Sequence, residues 1–148
     1  MDENVDLSIM GLGRMMQESF RVFKKRIENQ ESDEIRLTSE QFSLLHALSL
    51  KEEEVILKDM AEFMGKDKSA VLRIVDCLEE KGLVRRVAST EDRRKNYLMV
   101  TKAGNRSIEH HMKIVYQLMK ELREGVSQED LEIFHNVVNQ IRCNAAKM

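Results

Sequence analysis

Two groups of residues in this chain have the types and spacing to contact a polyanion. Arg85 and Arg86 stand side by side, and Arg93, Arg94 and Lys95 follow directly after Asp92. Upstream, Lys68, Ser69, Leu72 and Arg73 lie close together. Each type has a defined chemistry toward a nucleic acid. Arginine can bond a guanine edge through two parallel hydrogen bonds, serine donates to a phosphate or a base edge, and an apolar side chain such as Leu72 suits a thymine methyl. Cations on a projecting loop suit a narrow minor groove, where negative potential is concentrated. A carboxylate such as Asp92 can orient a neighbouring arginine by a charged hydrogen bond.

The elements that must position these residues follow from periodicity. Val71, Ile74, Val75 and Leu78 share one helical face behind Asp67, which is placed to cap the helix, and Gly82 ends it. With Val71 at the centre of the buried face, a rotation of about 100° per residue sets Ser69, Arg73 and Asp76 on the opposite side, with Lys68 and Leu72 flanking. Asp76, Glu79 and Glu80 make the second half of this helix a poor surface for a polyanion, so only the first two turns carry the expectation. A plainer reading competes with it: a solvated helix face on which Arg73 pairs with Asp76 three residues on. The stretch from Leu83 to Gly104 reads as a lone hairpin, two β-prone runs around a polar tip without Gly or Pro. Before the helix, LKDMAEFM forms a shorter one that closes at Gly65 but has no good N-cap. Val55 and Ile56 ahead of it suit a very short strand. Short helix, turn, amphipathic helix is the helix-turn-helix order, in which the second helix enters the major groove.

The flanking segments are helical as well. Ile9, Leu12, Met16, Phe20, Phe23 and Ile27 recur at steps of three and four and mark a first amphipathic helix. Thr38 and Gln41 have capping-box spacing for a second, with Phe42, Leu45 and Leu48 facing inward. Thr101 can cap a long helix carrying Ile108, Met112, Val115, Met119 and Leu122. Ser127 can cap a last one carrying Leu131, Phe134, Val138, Ile141 and Ala145. Both resemble heptad seams, and together with the first helix they offer more apolar stripe than the centre of the chain can cover, so a helical dimer interface is expected.

Composition narrows the class. The chain has 148 residues, enough for one domain or a small domain with an oligomerisation element. Ten Met, no Pro, no Trp and 5% aromatic residues favour helices joined by short turns. The net charge of −2 argues against a general polyanion binder, but its distribution is uneven. Between Lys66 and Lys95 nine basic residues face six acidic ones, whereas the rest of the chain holds fifteen basic and twenty acidic. Cys77 and Cys143 are far apart and form no CxxC, so neither a disulfide framework nor a paired-cysteine zinc site is indicated, and buried free thiols are the commoner reading. No signal peptide and no membrane span are expected, which fits a soluble protein of the reducing cytoplasm. Among His46, His110, His111 and His135, a single-ion site is disfavoured because Glu109, His110 and His111 are adjacent and cannot all face one ion on a regular helix. No nucleophile-base pair, phosphate loop or carboxylate pair points to an enzyme, and no cofactor is implied.

The segment MAEFMGKDKSAVLRIVDCLEEKGLVRR resembles the helix-turn-helix of MarR-type (multiple antibiotic resistance regulator) winged-helix transcription factors, and DRRKNYLMVTKAG resembles their wing with its Thr-x-x-Gly entry to the next helix. The resemblance spans the chain in element order. It implies a mainly α fold with a small β-hairpin wing (α+β): a winged helix-turn-helix lobe over 37–104, and helices in 1–36 and 105–148 that join a homodimer. It further implies binding of a pseudo-palindromic operator in double-stranded DNA, usually repression, and a small-molecule effector in the cleft between each lobe and the dimer helices. Position by position, Asp92 and Arg94 match the wing's Asp-x-Arg pair, with Arg94 the minor-groove residue. Lys68, Ser69 and Arg73 match groove-facing positions. Leu72 stands where a small hydroxyl residue is common and Cys77 where a basic one is, so base preference does not carry over. The expected DNA-contacting set is Lys68, Ser69, Leu72, Arg73, Arg86, Asp92, Arg93, Arg94 and Lys95, with no catalytic or metal-ligating residue. Two rival readings share this architecture: a winged-helix module whose basic tip serves an acidic protein partner, and a metal- or thiol-responsive regulator.

Overall fold

Capping side chains set several of the helix starts. The computed structural model of the protein describes residues 3–29, 35–51, 54–89 and 96–148. The order is α1 (Glu3–Glu28), α2 (Ser39–Ser49), α3 (Leu57–Met64), α4 (Lys68–Glu80), β1 (Val84–Ala88), β2 (Asn96–Val100), α5 (Lys102–Leu122) and α6 (Gln128–Ala145). Thr38 Oγ1 accepts from Gln41 N at 3.1 Å while Gln41 Oε1 accepts from Thr38 N at 3.2 Å, the reciprocal box expected for α2. Asp67 Oδ1 accepts from Ala70 N at 2.8 Å to open α4, and Ser127 Oγ accepts from Asp130 N at 3.1 Å to open α6. Helix α3 lacks a side-chain N-cap, as its sequence indicates, since Ile56 offers no acceptor. Only the returning half of a box is made there, Asp59 Oδ2 accepting from Ile56 N at 2.9 Å. Gly65 closes α3 with φ of 59°, a left-handed conformation that a Cβ would strain.

The chain forms two compact units, Met1–Tyr116 and Gln117–Met148. In the first, the hairpin is antiparallel with Val84 opposite Val100, Arg86 opposite Leu98 and Ala88 opposite Asn96. The short strand expected at Val55 and Ile56 is reduced to one bridge, in which Leu98 N donates to Val55 O at 2.8 Å. Ile56 cannot extend it, because it is already the N-cap position of α3. Val71, Val75 and Leu78 of α4 pack with Leu44 and Leu45 of α2, Met60 of α3, and Leu83, Val84 and Leu98 around the hairpin. Ile27 of α1 and Ile108 of α5 belong to the same core. Phe42, Leu45 and Leu48 of α2 are buried as their spacing requires.

Three polar ties hold this unit together. Glu28 Oε1 accepts from Ser39 N at 3.1 Å and from Ser39 Oγ at 3.2 Å, placing a carboxylate at the positive end of α2. Lys81 Nζ donates to Arg36 O at 2.6 Å and to Gln41 Oε1 at 2.8 Å. Thr101 Oγ1 donates to Gly82 O at 2.7 Å and accepts from Gly104 N at 3.0 Å, so one hydroxyl joins the end of α4 to the start of α5. A Cβ at Gly104 would lie 2.3 Å from Leu83 O and 2.7 Å from Val100 Cγ1, which is why the Thr-x-x-Gly step needs glycine at its fourth position.

Outside that core the apolar stripes stay open. On α1, Met10, Met16 and Phe20 are exposed while Ile27 is buried. In the second unit no residue of α6 is buried, and Ile133, Phe134, Val137 and Ile141 each stand about half exposed. Among the described residues, no helix is long and apolar enough to cross a membrane.

Candidate nucleic-acid interface

The rotation of α4 is fixed from beneath. Val71, Val75 and Leu78 are fully buried, and Lys66 Nζ pairs with Glu40 Oε1 at 2.7 Å, anchoring the turn before α4 to α2. The opposite side must then face outward, and Lys68, Ser69, Leu72 and Arg73 are all exposed there. Arg73 Nε donates to Ser69 O at 3.4 Å, a long bond along its own helix, and its guanidinium has no carboxylate partner among the described residues. The competing Arg73–Asp76 pair therefore does not form. A cleft of about 310 Å³ brings Lys68 and Leu72 of α4 beside Lys58 of α3 and Arg86 of β1.

Asp76 is engaged elsewhere. It takes one terminal nitrogen of Arg86, Glu79 takes the other, and the backbone N of Arg86 also donates to Glu79 Oε1 at 3.0 Å. Asp76 and Glu79 stand three residues apart on one face of α4, a spacing that lets both reach the same guanidinium. The hydrogen bond to Asp76 is the main cause raising the Arg86 pKa above its ordinary value, against the opposing effect of burial. Arg86 is expected among the DNA-contacting residues, and in the structure its guanidinium is engaged by two carboxylates of α4. Spacing alone marks Asp76 and Glu79 as unfavourable charges and Asp76 as a partner for Arg73, and links neither to Arg86. The signal that could have identified them was an acidic pair three residues apart, followed by an arginine just inside the next strand. Asp92, Arg93, Arg94 and Lys95 lie outside the described residues.

The histidines and cysteines fall in less suggestive places. Phe42 stacks with His46 at 5.7 Å and with His111 at 5.4 Å between ring centroids. His111 is buried, and its Nδ1 donates to Ser107 O at 2.7 Å. His135 lies in the other unit, its Nε2 2.7 Å from Asn139 Nδ2. Among the described residues no group of three His, Cys, Asp or Glu side chains is arranged to hold a metal ion. Neither cysteine is buried: Cys77 is half-buried and Cys143 exposed, because α6 presents its sides to solvent in the single chain.

Comparison with known proteins converges on one family. Residues 37–95, which run from just before α2 through the helix-turn-helix and β1 to the edge of β2, match the MarR family. A MarR family protein from Bacillus stearothermophilus has the same fold, with a TM-score of 0.80 at 20% identity, covering 99% of this chain and 99% of that one. The transcriptional regulator BldR from Sulfolobus solfataricus is similar with a TM-score of 0.73 at 26% identity, over 95% of this chain and 99% of its own. A crystal structure of MarR gives 0.75 at 25% identity, over 95% and 98%. With the match to the MarR family falling on the elements that carry the exposed face of α4, and the same fold extending over nearly the whole length, this chain is similar to the winged-helix transcriptional regulators of the MarR family.

Proposed function

We propose that the protein is a homodimeric, sequence-specific DNA-binding regulator of the cytoplasm that represses transcription by occupying a pseudo-palindromic operator. The observation that carries this reading is the exposed first half of α4, with Lys68, Ser69, Leu72 and Arg73 projecting from a helix whose opposite face is locked into the core. In the major groove Arg73 forks onto a guanine, Leu72 lies against a thymine methyl, and Lys68 and Ser69 bond phosphates near the helix N-terminus, whose partial positive charge adds to the attraction. The hairpin tip, with Asp92 orienting Arg94 and with Arg93 and Lys95 beside it, reaches the adjacent minor groove and backbone. The lobe over 37–104 thus does the reading, and the helices of 1–36 and 105–148 do the pairing.

A second copy accounts for the open apolar stripes of α1 and α6, since side chains such as Phe20, Phe134 and Ile141 gain from leaving water. Two-fold pairing sets the recognition helices about 34 to 36 Å apart, one turn of duplex. A small molecule that binds one spacing of these helices better than another shifts operator affinity by its difference in affinity for the two geometries. The reading is tested by selecting bound duplexes from a random pool and titrating the recovered site against salt. Enrichment of a two-fold site whose affinity falls steeply with salt supports it. Recovery of no site, with weak binding indifferent to sequence, overturns it.

A further inference from the structure

Arg86 sits where the hairpin leaves the body of the lobe. Opposite it is Leu98, the last ladder position that also bonds back to Val55, and beyond it the pairs Val87–Tyr97 and Ala88–Asn96 lead toward the tip. Those pairs span about 7 Å at the usual rise per strand residue. A two-stranded ribbon has little rigidity of its own in water. Some contact must therefore fix its outer part against the recognition helix if both are to engage one duplex. Arg86 makes that contact with both terminal nitrogens and its backbone N, reaching Asp76 and Glu79 in the second half of α4.

We infer that Arg86 is a positioning residue: its fork onto Asp76 and Glu79 sets the hairpin's angle to α4 and keeps those two carboxylates from repelling the DNA, without itself touching it. This rests on the DNA-binding reading above. The geometry opposes direct contact, since the guanidinium is half-buried and turning it toward a phosphate would break two charged hydrogen bonds and leave both carboxylates beside a polyanion. The contrast with Arg73, which has no carboxylate partner among the described residues, divides the two arginines by role.

The two roles give opposite signs in one experiment. On a duplex that the wild-type chain enriches from a random pool, Asp76→Asn combined with Glu79→Gln removes two negative charges near the DNA. If Arg86 were a phosphate contact held back by its partners, this variant would bind more tightly and with steeper salt dependence. As a positioning residue, its loosened fork lowers affinity for the selected site by about tenfold or more relative to an unrelated duplex, a difference of about 1.4 kcal/mol. Arg86→Lys is the second arm. An ammonium serves a phosphate well but cannot fork onto two carboxylates, so positioning predicts the same loss of discrimination with the net charge unchanged. Thermal melting identifies any variant that has lost its fold; if the double variant has, the Arg86→Lys arm decides. Unchanged or increased discrimination in the folded double variant, or unchanged discrimination in Arg86→Lys, overturns the inference while the DNA-binding reading stands. Failure of the wild-type chain to enrich any site overturns that reading instead.

Discussion

The helix-turn-helix lobe and α6 are written in the same pattern, apolar residues at three- and four-residue steps behind a Ser, Thr or Asp cap, yet they end in different states. In α4 the stripe of Val71, Val75 and Leu78 is completely buried, whereas in α6 the stripe of Phe134 and Ile141 stands about half exposed and nothing is buried. Periodicity names the apolar face of a helix but not what covers it. The lobe finds its cover within the chain, and on the proposed reading α6 finds it in a second copy.

That contrast can be broken at its strong side first. Leu78→Ala should destabilise the lobe by about 2 to 5 kcal/mol, read from denaturant melts, because it opens a cavity at a fully buried position. Phe134→Lys should leave a folded chain that sediments as a monomer and fails to hold a two-fold site. If it still sediments as a dimer, the pairing surface lies elsewhere. A smaller effect is expected at the joint between lobe and flanking helix. Thr101→Val removes both the bond to Gly82 O and the cap on Gly104 N, and should cost about 0.5 to 2 kcal/mol in the same melts. A loss confined to α5, with the lobe unaffected, would separate the two regions more sharply than the structure does.

What could be read in the sequence was local. The caps at Thr38, Asp67 and Ser127, the stop at Gly65 and the buried face of α4 are decided within a few residues, and each stands as its spacing indicates. What could not be read depends on residues distant in the chain. Arg86 looked like one more cation in a basic run, because its partners on α4 are visible only once β1 has folded back along that helix. Gly104 was recognisable as part of a motif, but its reason, the backbone of Leu83 lying where a Cβ would go, is a matter of close approach. Lys81 reaches the start of α2 across some forty residues, a distance at which pattern carries no information. The exposure of Cys143 and the burial of His111 likewise follow from which helix faces are covered, not from residue type.

The central claim is that the exposed first half of α4 reads base identity while the hairpin tip contributes affinity. It is tested most directly by measuring wild type, Arg73→Ala and Arg94→Ala against single-base substitutions of the selected site. The account predicts that Arg73→Ala loses discrimination at one base position, repeated symmetrically in both half-sites, by about 1 to 3 kcal/mol, while Arg94→Ala weakens every sequence alike and reduces the salt slope by about 1. Arg73→Ala that keeps full discrimination at every position, with affinity unchanged, would contradict it.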